Sequence, residues 1–154
     1  MIKGLHHNVY RCRDSGETRG FYEDFLGLRL VSAFEVDQGR GLHTFFAMDD
    51  GSCLAFFEVP DLPFDFKNQN VLDLHIALAV EPDIFDRMLK KGQAEGREVC
   101  GPVDHDFVRS LYFRDPNGYV IELTAPTGTH GEMIAPTVSG PHEALARWQA
   151  AKTG

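Results

Sequence analysis

The sequence predicts an α+β fold of two βαβββ modules followed by a C-terminal helix. Two observations support this prediction. The same order of strand and helix patterns occurs twice, and each copy begins with a short alternating stretch that contains a histidine, His7 in the first and His75 in the second. The offset between the two histidines also carries the segment 52–59 onto the segment 119–124. The chain therefore repeats one supersecondary unit.

In the first copy, the strand pattern around His7 is followed by a helix pattern that ends at Gly27. The apolar residues of this pattern share one helical face: Phe21, Tyr22, Phe25 and Leu26. Turns rich in Gly and Asp then separate three further strand patterns, which cover residues 28–36, 42–48 and 52–59.

The second copy repeats this order after the strand pattern that begins at His75. Its helix pattern carries Ile84, Phe85, Met88 and Leu89 on one face. Three strand patterns follow at residues 97–100, 110–114 and 119–124, and the tightest turn between them is Asp115-Pro116-Asn117-Gly118. Each module is thus expected to form a curved sheet with one helix on its convex face.

We expect residues 1–127 to form a single domain, with the first module at 1–60, a linker at 61–72 and the second module at 73–127. Residues 128–154 are predicted to be a loop and a C-terminal helix. The Gly-, Thr- and Pro-rich run 126–140 predicts the loop, and Pro141 suits the first position of a helix. We expect Leu145 and Trp148 to dock this helix on the body or on a second copy.

Composition excludes several classes of protein. The 154 residues carry a net charge of −8 without a basic cluster, which argues against nucleic acid or an anionic membrane as a partner. No apolar run is long enough for a transmembrane helix, and the polar N-terminus does not resemble a signal peptide. Three cysteines without a C-x-x-C pair suit a reducing compartment, so we expect a cytoplasmic protein.

Strand parity brings three candidate metal ligands to the concave side of the sheets. His75 shares a strand face with small residues, whereas Ile76 and Leu78 take the other face. Glu122 likewise lies opposite its apolar neighbours, and a carboxylate there is costly unless it is paired or bound to a metal. Together with His7, these residues form a 2-His-1-carboxylate set that suits Fe(II) or Mn(II).

A structural role is the alternative for each of these three residues. A single strand histidine is commonly a hydrogen-bonded core residue, and Glu122 could pair with an arginine such as Arg11. The repeat register of all three residues favours the metal site over that alternative.

Two motifs resemble the vicinal oxygen chelate superfamily, which includes glyoxalase I, extradiol dioxygenases, fosfomycin-resistance transferases and bleomycin-binding proteins. The segment Phe21-Tyr22-Glu23-Asp24-Phe25-Leu26-Gly27-Leu28 is similar to its opening motif, and Asp115 to Glu122 is similar to its closing motif. The resemblance covers about residues 4–126. It implies paired βαβββ modules around a metal-binding cup, a small-molecule substrate that chelates the metal through two oxygens, and a homodimer.

A longer stretch, from Gly101-Pro102-Val103-Asp104-His105 to Glu122, resembles the extradiol ring-cleavage dioxygenase signature. That resemblance implies that His105 and Tyr112 contact a bound catecholate and that Glu122 ligates iron. We therefore predict an oxidoreductase of the extradiol dioxygenase type that acts on a catechol-like aromatic. We expect the aromatic lining of its pocket to include Phe45, Phe57 and Phe113 or their neighbours.

The sequence leaves two alternatives open. Resemblance to glyoxalase I implies a fourth ligand at the position that the repeat register assigns to Ala55, the equivalent of Glu122. Glu58, three residues further on, could act as fourth ligand or base, although strand parity points it to the face opposite Ala55 unless a β-bulge intervenes. Such an isomerase or lyase would use Ni(II), Zn(II) or Co(II). A metal-free binding protein is the other alternative. Resemblance to the extradiol dioxygenases also implies an acid/base histidine near Cys53. The sequence has none at that position, and His43 or His6 could substitute for it.

Overall fold

A computed structural model describes residues 1–133 and 140–152. The first module contains a four-stranded mixed sheet, here called sheet A, in the order β1-β4-β3-β2. Strand β1 pairs parallel with β4, and the other pairs are antiparallel. Its strands are β1 (His7–Cys12), β2 (Arg29–Val36), β3 (Gly41–Ala47) and β4 (Cys53–Glu58).

The helix of the first module begins before its apolar pattern. Helix α1 (Ser15–Arg19) starts where the Asp14 side chain accepts a hydrogen bond from Glu17 N at 2.7 Å. A π-helical turn over Gly20–Phe25 continues it and buries Phe21, Tyr22 and Phe25. Gly27, with φ of 88°, then ends the helix in a backbone conformation that glycine adopts without strain.

The second module repeats this arrangement in sheet B, with the order β5-β8-β7-β6. Strand β5 pairs parallel with β8, as β1 does with β4. The elements are β5 (Ile76–Ala79), α2 (Pro82–Ala94), β6 (Val99–Asp104), β7 (Val108–Arg114) and β8 (Val120–Pro126). Paired βαβββ modules with a C-terminal helix confirm the predicted fold class.

The helix-facing sides of the two sheets share one hydrophobic core. Phe25 of the first module packs edge to face against Phe113 of the second, with ring centroids 5.2 Å apart. Tyr10 and Tyr119 make a second contact between the modules at 4.9 Å. The opposite side of each sheet, here called its open face, points away from the helices. The modules are therefore joined through their cores.

The turn Asp115–Gly118 fastens the second module to the first. The buried Asp115 carboxylate accepts hydrogen bonds from the Tyr22 hydroxyl at 3.0 Å and from Tyr119 N at 2.8 Å. Asn117 Oδ1 accepts a hydrogen bond from Arg13 N at 2.9 Å. Gly118 has φ of 91°, and a Cβ there would lie 2.6 Å from Asn68 N of the linker. This turn thus holds both modules and the linker together.

The C-terminal region differs from the prediction in two respects. A short helix, α3 (His130–Met133), lies inside the predicted loop, because the Thr127 and Thr129 hydroxyls donate to the Asp106 carbonyl and fix the chain just before it. The remainder of that loop, 134–139, lies outside the described residues. Helix α4 (Pro141–Ala151) forms as predicted, but Leu145 and Trp148 are 56% and 64% exposed. The expected docking of this helix on the body is therefore wrong within one chain.

Candidate metal and substrate site

His75 and Glu122 meet on the open face of sheet B. Glu122 lies on β8 opposite Ala77, two residues after His75, and its side chain is 7% exposed. The distance from His75 Nε2 to Glu122 Oε2 is 2.9 Å, and His75 Nδ1 lies 2.7 Å from the Val71 carbonyl. A carbonyl can only accept, so Nδ1 carries a proton and donates it. In the neutral ring, Nε2 then presents a lone pair to the carboxylate.

Two electron-pair donors that face each other need a positive charge between them. When the imidazole is protonated, the proton on Nε2 supplies this positive charge. When the imidazole is neutral, a divalent cation bound by both Nε2 and the carboxylate would supply it. The hydrogen bond to Val71 fixes the ring orientation in the way that metal-bound histidines commonly require. Val71 was not predicted, because its carbonyl belongs to a linker whose course the sequence pattern does not reveal.

His105 and Tyr112 lie beside this pair. Tyr112 is paired with Glu122 across β7 and β8, and its hydroxyl lies 3.0 Å from His105 Nε2. Burial raises the pKa of Tyr112 above its usual value, and the Glu122 carboxylate raises it further. The phenol therefore stays protonated at neutral pH and can donate a hydrogen bond. Both residues line a cavity of about 740 Å³ that His75 also borders.

His7 lies on the other sheet. It stands at the start of β1, exposed, with its ring centroid 5.4 Å from that of Phe45. Its Nδ1 contacts His6 Nδ1 at 2.7 Å, which leaves Nε2 available. Within residues 1–133 and 140–152, no three His, Cys, Asp or Glu side chains form a cluster that could hold a metal ion. One chain thus brings together His75 and Glu122 and keeps His7 apart from them.

The fourth-ligand position of the first module carries no carboxylate. Ala55 on β4 pairs with Val9, which lies two residues after His7 on β1. Glu122 on β8 pairs in the same way with Ala77, which lies two residues after His75. Ala55 and Glu122 are therefore equivalent positions. The register of β4 runs without a bulge from Cys53 to Glu58, so Glu58 points to the face opposite Ala55. The Glu58 carboxylate accepts a hydrogen bond from Ser15 N at 2.7 Å, which places it beside α1.

The aromatic residues expected in the pocket divide between the two sides of the sheets. Phe45 and Phe57 lie on the open face of sheet A, next to His43. The ring of Phe113 is 2% exposed and packs on the helix-facing side against Phe25. Strand parity explains this, because Phe113 alternates with Tyr112, whose hydroxyl points to the open face.

Burial also changes the titration of His43. Burial lowers the pKa of His43 below its usual value, and the nearby His7 lowers it further. The imidazole is therefore neutral at physiological pH.

Among the described residues, no helix is long and apolar enough to span a bilayer.

Comparison with known proteins adds relatives in three groups. A probable lactoylglutathione lyase of Synechocystis sp. is 32% identical over 77% of this chain and 92% of its own length. A metallothiol transferase FosB of Shouchella clausii is 26% identical over 88% of this chain and 87% of its own. The crystal structure of the fosfomycin resistance protein FosX from Mesorhizobium loti superposes with a TM-score of 0.67 at 26% identity, covering 88% of this chain and 99% of that one.

A structure described as a glyoxalase/dioxygenase from Nostoc punctiforme superposes with a TM-score of 0.66 at 26% identity, over 81% of this chain and 92% of that one. The two curated relatives just described carry lyase and transferase names, and neither is named as an extradiol dioxygenase. The family model that matches residues 4–123 describes the glyoxalase/bleomycin resistance protein/dioxygenase superfamily. Together with the paired βαβββ modules, this match establishes that the chain belongs to that superfamily.

Proposed function

We propose that the protein is a metal-dependent enzyme of the glyoxalase-like isomerase or lyase type, acting on a small molecule that carries two adjacent oxygens. The observation that carries this proposal is the fixed orientation of His75, whose Nδ1 donates to Val71 while its Nε2 faces the Glu122 carboxylate at 2.9 Å. The lyase and transferase names of the relatives favour this chemistry over ring cleavage.

The third ligand in this proposal is His7 of a second copy of the chain. His7 occupies the position of the first module that His75 occupies in the second, yet it lies on the other open face. A symmetric dimer that placed sheet A of one copy against sheet B of the other would bring the three ligands together twice. The expected homodimer is thus a requirement of the site.

Two imidazoles and one carboxylate would leave a divalent cation with a net positive charge, which suits a substrate that binds as an oxyanion. When bound, the metal would polarise the two adjacent oxygens of the substrate. This ligand set accommodates Zn(II), Ni(II) and Co(II) as well as Fe(II) and Mn(II), so the metal is to be found by measurement.

Tyr112 and His105 are the proposed catalytic residues. The protonated Tyr112 hydroxyl would donate a hydrogen bond to a substrate oxygen on which negative charge develops. His105, 3.0 Å from that hydroxyl, would accept or return the proton that moves during the reaction. Glu58 has no part in this scheme, because its carboxylate accepts the Ser15 N–H on the other side of the sheet.

The test is metal analysis of the purified protein, followed by an assay for each of the five metals with the hemithioacetals that glutathione forms with methylglyoxal and with phenylglyoxal. We expect a metal-dependent change in the thioester absorbance that His75→Ala abolishes together with metal binding. Protein that neither contains nor binds a divalent metal would refute the proposal. Full metal occupancy in His75→Ala would refute the ligand assignment.

A second candidate function is the extradiol dioxygenase, favoured by the contact between His105 and Tyr112 next to Glu122. These two residues are the ones that the signature implies for catecholate binding. An oxygen electrode with Fe(II) and a panel of catechols separates the two functions. Oxygen uptake with a coloured ring-cleavage product would establish the dioxygenase, and thioester chemistry without oxygen uptake would establish the lyase.

A further inference from the structure

Four side chains on the open face of sheet A form an aromatic cluster: Phe34, His43, Phe45 and Phe57. The His43 ring is stacked on Phe57 with centroids 3.7 Å apart and lies 4.3 Å from the ring of Phe45. Phe34 on the outer strand β2 packs edge to face on His43 at 5.3 Å and stacks on Phe45 at 6.0 Å. The cluster is an aromatic surface on the side of the sheet that, among the described residues, no helix covers.

His43 is the one polar side chain among these four aromatic residues. The residue is 8% exposed, and its Nε2 is buried without a hydrogen-bond partner among the described residues. Leaving a buried polar atom unpaired destabilises the protein, so most such atoms in proteins have partners. A ligand atom that reached Nε2 would remove this destabilisation.

The cluster lies next to a proposed metal ligand. Phe45 is the connecting residue, because its ring contacts both His43 and the ring of His7. A substrate held by the metal through two oxygens would therefore extend along this surface. The four side chains of the cluster carry no formal charge, so they favour a planar apolar group over an anionic one.

We propose that the aromatic cluster is the substrate-recognition subsite of the enzyme. It receives an aromatic ring of the substrate, and His43 Nε2 hydrogen-bonds a hydroxyl on that ring. Phe34, which is 47% exposed, is the ring that moves aside when the substrate enters. The substrate class is thus an aryl compound with two adjacent oxygens for the metal and a polar group on its ring. This inference rests on the proposed metal site.

The test compares acetohydroxamic acid with benzohydroxamic acid as probes for the Zn(II)-loaded protein in titration calorimetry. Both probes present the same two adjacent oxygens to the metal, and they differ only in a methyl or a phenyl group. We expect benzohydroxamic acid to bind at least about tenfold more tightly, because the phenyl ring is desolvated and stacked. Phe57→Leu should abolish this preference and leave acetohydroxamic acid unaffected. Phe66→Leu, which alters an exposed phenylalanine of the linker, is the matched control.

The hydrogen bond to His43 is tested with 4-hydroxybenzohydroxamic acid. We expect this probe to bind the wild type about tenfold more tightly than benzohydroxamic acid does. The two probes should bind His43→Phe with equal affinity, because the variant lacks the hydrogen-bonding nitrogen. Equal binding of the methyl and phenyl probes to the wild type would overturn the subsite and leave the metal site intact. An undiminished phenyl preference in Phe57→Leu would also overturn it. Failure of both probes to bind would overturn the proposed metal function and this inference together.

Discussion

The open faces of the two sheets share one strand order but differ in chemistry. Sheet B carries His75, Glu122 and Tyr112, which hydrogen-bond or pair with one another. At the position that matches Glu122, sheet A carries Ala55, and a stacked His43 and Phe57 lie beside it. The two modules thus share one backbone register, but the open face of sheet B carries ionisable side chains and the open face of sheet A carries mainly aromatic ones. We infer that sheet B supplies two of the three metal ligands, and that sheet A supplies the third and the surface that recognises the substrate.

The largest expected effect comes from removing the charge of Glu122. Glu122→Gln should weaken metal affinity by at least about 100-fold, because it removes the one carboxylate of the proposed ligand set. Glu58→Gln makes the same chemical change on the helix-facing side and should leave metal affinity unchanged. Metal titration of both variants checks this contrast. Equal losses in the two variants would show that the faces are not divided as described.

The two turns that precede the last strand of each module allow a second contrast. Asp115→Ala should lower the free energy of unfolding by about 3 kcal/mol, because it leaves the buried Tyr22 hydroxyl and Tyr119 N–H unpaired. Asp50→Ala, in the turn of the first module, removes two partly buried hydrogen bonds to Ser52 and should cost about 1 kcal/mol, because among the described residues Asp50 makes no hydrogen bond or ion pair with the other module. Urea unfolding measures both values. A smaller cost for Asp115→Ala than for Asp50→Ala would contradict the joining role of the second turn.

Tyr112→Phe should lower kcat by about 100-fold and leave metal affinity unchanged, because the proposed role of the hydroxyl is to donate a hydrogen bond to the substrate and not to bind the metal. Tyr10→Phe is the matched control, since that hydroxyl lies by Asn8 on the helix-facing side. Steady-state kinetics on the substrate that the assays identify provide the measurement. An unchanged kcat in Tyr112→Phe would remove this residue from the catalytic machinery.

The smallest expected effect concerns pH and sheet A. Because burial holds the pKa of His43 below its unfolded value, the unfolded chain binds more protons as the pH falls below about 6.5. His43 should therefore make the protein less stable at pH 5 than at pH 7. His43→Phe should flatten this dependence in urea unfolding across that range. An identical pH dependence in both proteins would show that His43 titrates normally in the folded state.

Sequence patterns predicted the parts of the site that depend on strand parity. Alternation placed His75 and Glu122 on the face opposite the core, and the repeat located Ala55 at the position equivalent to Glu122. Parity also predicted that Glu58 points away from Ala55 unless a bulge intervenes, and the register of β4 has none. These features depend only on neighbours along and across a strand.

Other features depend on the relative placement of elements, which no local pattern encodes. The separation of His7 from His75 follows from modules that join through their cores, as the contact between Phe25 and Phe113 shows. The exposure of Trp148 depends on which surfaces of the same chain lie close enough to pack against α4. The hydrogen bond from His75 to Val71 depends on the path of the linker.

The central claim is that two copies of the chain complete each metal site, and mixing two inactive variants tests it most directly. His7→Ala and Glu122→Ala are each expected to lose metal binding. After the two are unfolded and refolded together in equal amounts, half of the dimers should be mixed, and each mixed dimer should regain one intact site. The mixture should therefore bind about one quarter of the metal that the wild type binds. No recovery, in a mixture shown to contain mixed dimers, would contradict it.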